Sequence, residues 1–296
     1  MSIIHDFKYA RPADIEEALA LLAEHGAGAE VLAGGTDEIA WLREDMVTPG
    51  ILVDIKRIPG LAAIEAKDGM LVVGALVTFT DLIESAVVTD TLPVLAEMAH
   101  TVASPGIRNR ATVAGNICSA VPSADASPVL VALEAVVVLV GPDGERRVPI
   151  DEWFVAPRQT VRRAGELVTA IEIPIPAEGH GGAYVKLGRY EGEDLAQVAV
   201  GVVVTPGPAY RISFGAVAPV PIRARRIEAA LNGAPPDATA MAAARALLPE
   251  EIAPISDLRA SKEYRMHMAG VMLERGLKAA LQRVTGDGPA YGTRLI

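Results

Sequence analysis

The sequence predicts an α+β protein built from two domains. Two observations carry that prediction. Up to about residue 172, apolar strand-like runs alternate with amphipathic helices, the pattern of layered α/β units. Then IPIPAEGHGG, residues 173–182, reads as a Pro/Gly linker, and beyond it three strand-like runs follow one another before a series of helices. The expected domains are therefore residues 1–176, with subdomains of about 1–57 and 58–176, and residues 177–296.

The elements follow in order. HDFKYA, residues 5–10, reads as a short strand. PADIEEALALLAEHG carries a full set of helix signals: Pro12 precedes it, Asp14 is placed to cap it, Glu16 and Glu17 sit near its positive end, Ile15, Leu19 and Leu22 share a face, and Gly26 stops it. AEVLAGG is a strand running into a Gly-Gly turn, Asp37 is placed to cap the short helix EIAWLRE, and GILVDIK is the next strand. GMLVVGALVTFTDLIES gives a strand and then a helix starting at Thr78 or Thr80. LPVLAEMAHTVAS is an amphipathic helix, SPVLVALEA another, and AVVVLVG a strand whose continuation GPDGE is a hairpin turn. RRVPIDEWF and GELVTAIEIPIP read as returning strands. Past the linker, AYVKLGR, LAQVAVGVVVT and AYRISFGAVAP predict an antiparallel meander, and RARRIEAAL, ATAMAAARALL and SKEYRMHMAGVMLERGLKAAL predict helices. ATVAGNICSAVPSADASPVL, residues 111–130, is too broken for a clean strand or helix.

Composition narrows the function. Apolar residues are 51% of the 296 but aromatics only 4%, so the core is aliphatic. The net charge of −10 and the lack of any basic run argue against nucleic acid and anionic membrane partners. No apolar stretch reaches the ~18 residues of a membrane-spanning helix, and MSIIHDFKYARPAD lacks the shape of a signal peptide, so a cytoplasmic location is expected. Cys118 is the single cysteine, which excludes an internal disulfide and a Cys₄ cluster, and the five histidines show no metal-ligand spacing. No metal site is expected in this chain.

Four stretches could carry chemistry. VLAGGTDE, residues 31–38, ends a strand in two glycines and opens a helix, which suits either a tight βα turn or a phosphate held on backbone N–H groups. SPGIRNRATVAGN, residues 104–116, offers Gly115 for close approach, Thr112, Asn116, Arg108 and Arg110, the groups that hold a diphosphate, or else a packed connection with solvated arginines. Asp125 before Pro128 is placed to cap a helix, to accept from a ribose diol, or both. Lys186, Arg189 and Asp194 are either solvated surface charges or a group aimed at a ligand. No Ser-His-Asp or Cys-His pattern of a nucleophilic enzyme is present, and Cys118 reads as a small buried hydrophobe.

AGGTD at 33–37, IRNRATVAGNI at 107–117 and PSAD at 122–125, with GELVTAIEIP, KLGRYEGEDLAQV, SFGAVAPVPIRARRIEAAL and LRASKEYRMHMAGVMLERGL after them, resemble the FAD-binding medium subunit of the molybdenum hydroxylases. That family includes xanthine dehydrogenase and carbon monoxide dehydrogenase. The resemblance implies a two-subdomain α/β FAD-binding domain of the PCMH type, then a C-terminal domain with a three-stranded antiparallel sheet and a helical bundle. It implies FAD contacts at Val31, Leu32, Ala33, Gly34, Gly35, Thr36, Asp37 and Glu38 in a first loop. A second loop supplies Thr112, Val113, Ala114, Gly115 and Asn116, with Val102, Ile107 and Arg108 before it. Asp125 matches a ribose-binding carboxylate, Val168 an apolar contact and Lys186 a lysine near the flavin. Two positions depart from the family pattern. Ala114 replaces a common Gly, tolerable where φ is negative. Glu38 replaces Leu or Ile beside the flavin, and is expected to turn outward with Ile39 packing in its stead, because an unpaired buried carboxylate is costly.

The resemblance further implies electron transfer rather than substrate chemistry, with no catalytic residue in this chain. Electrons would come from a large molybdenum-cofactor subunit through the [2Fe–2S] clusters of a small subunit, in a heterohexamer that is a dimer of heterotrimers, and leave to an external acceptor. The alternatives are an FAD-free scaffold subunit of the same complex and a stand-alone FAD-dependent oxidoreductase.

Overall fold

The computed structural model describes residues 3–176, 179–190, 192–233 and 235–296; residue 177, the expected start of the second domain, lies outside them. The chain begins with β1 (Lys8–Ala10), α1 (Ile15–His25), β2 (Ala29–Leu32), α2 (Glu38–Arg43) and β3 (Ile51–Asp54). The three strands form a parallel sheet in the order β1-β3-β2. All four residues of β3 are buried, as a central parallel strand requires. α1 starts where its signals place it: the Asp14 carboxylate accepts the Glu17 N–H at 2.8 Å. Its Ala18 and Leu22 pack on Ile51 and Val53.

The next region runs β4 (Ile64–Lys67), β5 (Met70–Gly74), α3 (Phe79–Glu84), α4 (Ala86–Thr91), α5 (Pro93–His100), α6 (Pro105–Arg108), α7 (Val113–Ser119), α8 (Ala126–Ala132), β6 (Val136–Gly141), β7 (Gly144–Pro149), α9 (Ile150–Trp153), β8 (Phe154–Ala156), β9 (Gln159–Thr160) and β10 (Leu167–Pro174). Five of these strands form an antiparallel sheet, β4-β5-β10-β6-β7. Three features differ from the sequence reading. β4 pairs with β5 around Asp68 and Gly69, both at positive φ (52° and 75°), the geometry of a two-residue hairpin turn. RRVPIDEWF is not one strand: β7 stops at Pro149, and Ile150–Trp153 turns inward so that the Trp153 indole N–H donates to the Ile117 carbonyl at 2.9 Å. Residues 111–130 are two short helices, α7 and α8, rather than a broken loop.

The C-terminal region holds β11 (Gly181–Leu187), β12 (Val198–Thr205), β13 (Ala209–Gly215) and β14 (Ile222–Arg223), then α10 (Arg225–Leu231), α11 (Ala238–Ala246), α12 (Leu248–Glu251) and α13 (Lys262–Val284). The meander is the expected one, extended by the two-residue β14. β12 is the centre of gravity. Val198, Val200, Val202 and Val204 face α13, while Ala199 and Val203 face the preceding domain and join its core. Close approach is built in with glycine. A Cβ on Gly201 would lie 2.7 Å from the Pro128 carbonyl oxygen, and one on Gly215 would lie 2.6 Å from the Pro128 ring, so α8 rests directly on the sheet.

An ion pair locks the same interface. Arg283 of α13 forks onto Glu97 of α5, Nη2 to Oε2 at 2.7 Å and Nη1 to Oε1 at 3.0 Å, with both side chains at most 4% exposed. Glu97 also accepts the N–H groups of Tyr184 and Gly292, and Arg283 donates to the carbonyls of Gly182, Pro289 and Ala290. Such a pair stabilises little relative to apolar residues but is costly to halve. Glu97→Ala is expected to destabilise the chain by about 3–5 kcal/mol, and Glu97→Met combined with Arg283→Met by clearly less. Urea unfolding midpoints check this; equal losses for the two variants would contradict it.

Candidate functional site

A cavity of about 510 Å³ opens where the three regions meet. The first wall is the loop between β2 and α2. Gly35 takes φ +77°, a conformation that favours glycine. Among the described residues, the N–H groups of Gly35, Thr36 and Asp37 donate to no acceptor, and all three residues line the cavity. Asp37 stands at the start of α2 but its carboxylate makes no capping bond, contrary to the sequence reading.

The second wall is the start of α7. The expected loop is sewn to α3 by Phe79 N–H to Ala111 O and Val113 N–H to Val77 O, both at 3.1 Å. Thr112 then caps α7 by accepting the Gly115 N–H at 2.9 Å. Its hydroxyl oxygen serves as the cap, and a hydroxyl that accepts still has its O–H to donate. A Cβ on Gly115 would sit 2.8 Å from that oxygen. Ala114 lies inside α7 at negative φ, so its methyl group is accommodated. The Asn116 side-chain oxygen accepts the Ala126 N–H at 3.2 Å and ties α7 to α8. The two walls touch through backbone. A Cβ on Gly34 would lie 2.0 Å from the Arg110 carbonyl oxygen.

The third wall carries Asp125. Its Oδ1 accepts from the Tyr184 hydroxyl at 2.6 Å and its Oδ2 from the Lys186 ammonium at 2.9 Å; Lys186 also donates to the Thr101 carbonyl. Asp125 does not cap α8. Burial pushes its carboxyl up, and Lys186 and Tyr184 pull it back. Each oxygen keeps a lone pair for a ligand hydroxyl.

The expected site residues separate into two groups. Val31, Ala33, Gly34, Gly35, Thr36, Asp37, Glu38, Val102, Ile107, Thr112, Ala114, Gly115, Asn116, Asp125 and Val168 line the cavity. Leu32, Arg108, Val113 and Lys186 stand behind it. Leu32 packs beneath Gly35, Val113 is in the core, Lys186 holds Asp125, and Arg108 donates to the carbonyls of Val102 and Ala103 rather than facing an anion. Glu38 does not turn outward: it is 9% exposed, lines the cavity, and burial together with the neighbouring Glu30 charge pushes its carboxyl up to about 7. Ile39 packs near Gly35 instead.

Sequence reasoning missed Trp41, Glu30, Arg162 and Glu166. These fall in two separate stretches of the chain, 30–41 and 162–166, and carry no shared motif. Trp41, under the Arg158 guanidinium at 4.4 Å, had the best signal, as one of two tryptophans directly after the glycine loop. Burial pushes the Cys118 thiol up to about 11, so it is no nucleophile at neutral pH. Among the described residues the cavity wall holds seven carboxyl groups and one guanidinium, Arg162. The unpaired backbone N–H groups are therefore its main donors for an anionic ligand.

Two family profiles match the chain: the FAD binding domain in molybdopterin dehydrogenase over residues 5–176, and the CO dehydrogenase flavoprotein C-terminal domain over residues 183–280. The chain belongs to the FAD-binding medium subunits of the molybdenum hydroxylase family. It is 36% identical to the carbon monoxide dehydrogenase medium chain of Hydrogenophaga pseudoflava over 94% of this chain and 98% of that one. To the xanthine dehydrogenase FAD-binding subunit of Escherichia coli O157:H7 it is 33% identical, over 94% and 97%. A solved carbon monoxide dehydrogenase from H. pseudoflava, lacking the Mo-pyranopterin moiety of its cofactor, superposes with a TM-score of 0.92 at 38% identity over 96% and 99% of the two chains. As a medium subunit of this family the chain is an oxidoreductase component that binds FAD. The wall fits that cofactor: unpaired N–H groups suit a diphosphate, Val102, Ile107 and Val168 give apolar surface, and Asp125 offers acceptors.

The contact between the walls is testable. Gly34→Ala is expected to push the loops apart and weaken FAD binding by about tenfold or more, measured by quenching of flavin fluorescence. Unchanged affinity would contradict the geometry.

Proposed function

We propose that this subunit relays electrons within a molybdenum hydroxylase complex. The observation that carries the reading is the glycine loop after β2: Gly35, Thr36 and Asp37 line the cavity, and their N–H groups donate to no acceptor among the described residues. Bound FAD would supply the redox chemistry, an electron relay between the [2Fe–2S] clusters of a small partner subunit and an external acceptor. The chain's own residues bind and orient. The β2–α2 loop and the start of α7 grip the diphosphate, and Asp125, steadied by Lys186 and Tyr184, accepts from ribose hydroxyls. No residue of the chain needs to move a proton on the oxidised substrate, whose pocket belongs to a large molybdenum-cofactor subunit. The medium-chain and FAD-subunit names of its relatives support two such partners, and the assembly is proposed as a cytoplasmic dimer of heterotrimers. No helix among the described residues is long and apolar enough to cross a membrane.

The purified full chain is expected to bind FAD, show flavin absorption bands and hydroxylate nothing. A colourless chain that refuses added FAD would favour a scaffold role. Hydroxylation by the isolated chain would overturn the relay reading.

A further inference from the structure

Glu38 is the first residue of α2 and directly follows Gly35, Thr36 and Asp37, cavity-lining residues whose N–H groups are unpaired among the described residues. It is nine-tenths buried, and its Oε1 has no hydrogen-bond partner among the described residues. No ion pair relieves it. The groups around it come from three elements. Glu30 of β2 and Asp37 beside it are acidic. Arg158, in the turn between β8 and β9, is engaged over the Trp41 ring, and Arg162, just past β9, donates to the Glu166 carbonyl. No histidine lines the cavity.

An ionised carboxylate in that position is costly already, because burial strips much of its water, no ion pair among the described residues compensates, and the Arg158 charge offsets only part of the loss. A bound dinucleotide makes it costlier in two ways. It displaces water from the cavity, and it brings a diphosphate anion into a wall that holds seven carboxyl groups against one guanidinium. The neutral acid suffers neither penalty.

We propose that Glu38 couples FAD binding to proton uptake: the chain binds FAD in the form that carries a proton on the Glu38 carboxyl. This rests on the cavity being the FAD site. The sign follows from linkage. At low pH Glu38 is already protonated and binding needs no proton. Above neutrality the free chain must take one up, so affinity falls as pH rises, by at most tenfold per unit. The diphosphate is fully ionised throughout this range and the oxidised flavin does not titrate in it. Asp125, also on the wall, is the rival source of pH dependence and is separated by the variant.

The test is titration of the full FAD-free chain with FAD, in wild type and Glu38→Gln, at about pH 5.5 and about pH 8.5. Wild type is expected to bind about 5- to 30-fold more weakly at the higher pH, and Glu38→Gln to differ by less than about twofold. Calorimetry in two buffers of different ionisation enthalpy is expected to read uptake of up to about one proton per FAD in wild type at the higher pH, and none in the variant. Tight wild-type binding with no pH dependence overturns the coupling and leaves the FAD site standing. The same dependence in Glu38→Gln overturns it by transferring it to another group such as Asp125. Failure of the folded wild-type chain to bind FAD at either pH overturns both the site and the coupling.

Discussion

The Arg110 carbonyl oxygen occupies the space where any residue but glycine at position 34 would carry its side chain. That contact fixes the distance between the first glycine loop and the start of α7, and the rest of the site is measured from it. The demand for accuracy comes from the scarcity of cations on the wall, where Arg162 faces seven carboxyl groups among the described residues. A flexible lysine can follow a misplaced phosphate, but a backbone N–H cannot, and hydrogen bonds weaken steeply with distance and angle. A site that holds an anion on amides must be assembled with its walls already in place.

Three acidic groups of the wall are each met by their own partners. Glu166 is clamped by the Arg146 fork at 2.6 and 2.7 Å and by the Arg163 N–H, which hold its carboxyl below the usual range despite burial. Asp125 shares its charge with Lys186 and Tyr184. The Asp194 carboxylate accepts from the Arg189 and Leu195 N–H groups, closing the loop that follows β11. Glu38 has no such partner among the described residues, and it directly follows the three residues whose N–H groups are unpaired.

Much of this was legible in the sequence, and the misses share a cause. Elements with local signals came out in place: α1 with its Asp14 cap, the β6–β7 turn, the meander and α13. Both glycine stretches line the cavity, because glycine is demanded locally by the turn at Gly35 and the close contacts at Gly34 and Gly115. Side-chain direction was harder. Asp37 and Asp125 stand where caps stand but do not cap, since tertiary partners or the cavity claim that space. Glu38 was read as turning out from the cost of burying a charge; a raised carboxyl pKa lowers that cost by letting the group stay neutral. The Asp68-Gly69 turn of the β4–β5 hairpin was a local signal that went unused.

The packing of α8 on β12 and β13 has a consequence for how the chain comes into being. The core of the second region includes Ala199 and Val203, and the charge of Asp125 is met by Lys186. A chain emerging from the ribosome has therefore made both glycine loops well before the strands that back them exist. Asp125 lacks its counter-ion until Lys186 is made, and α8 lacks its floor until residues near 215 are available. The cavity is written early in the sequence and completed late in synthesis.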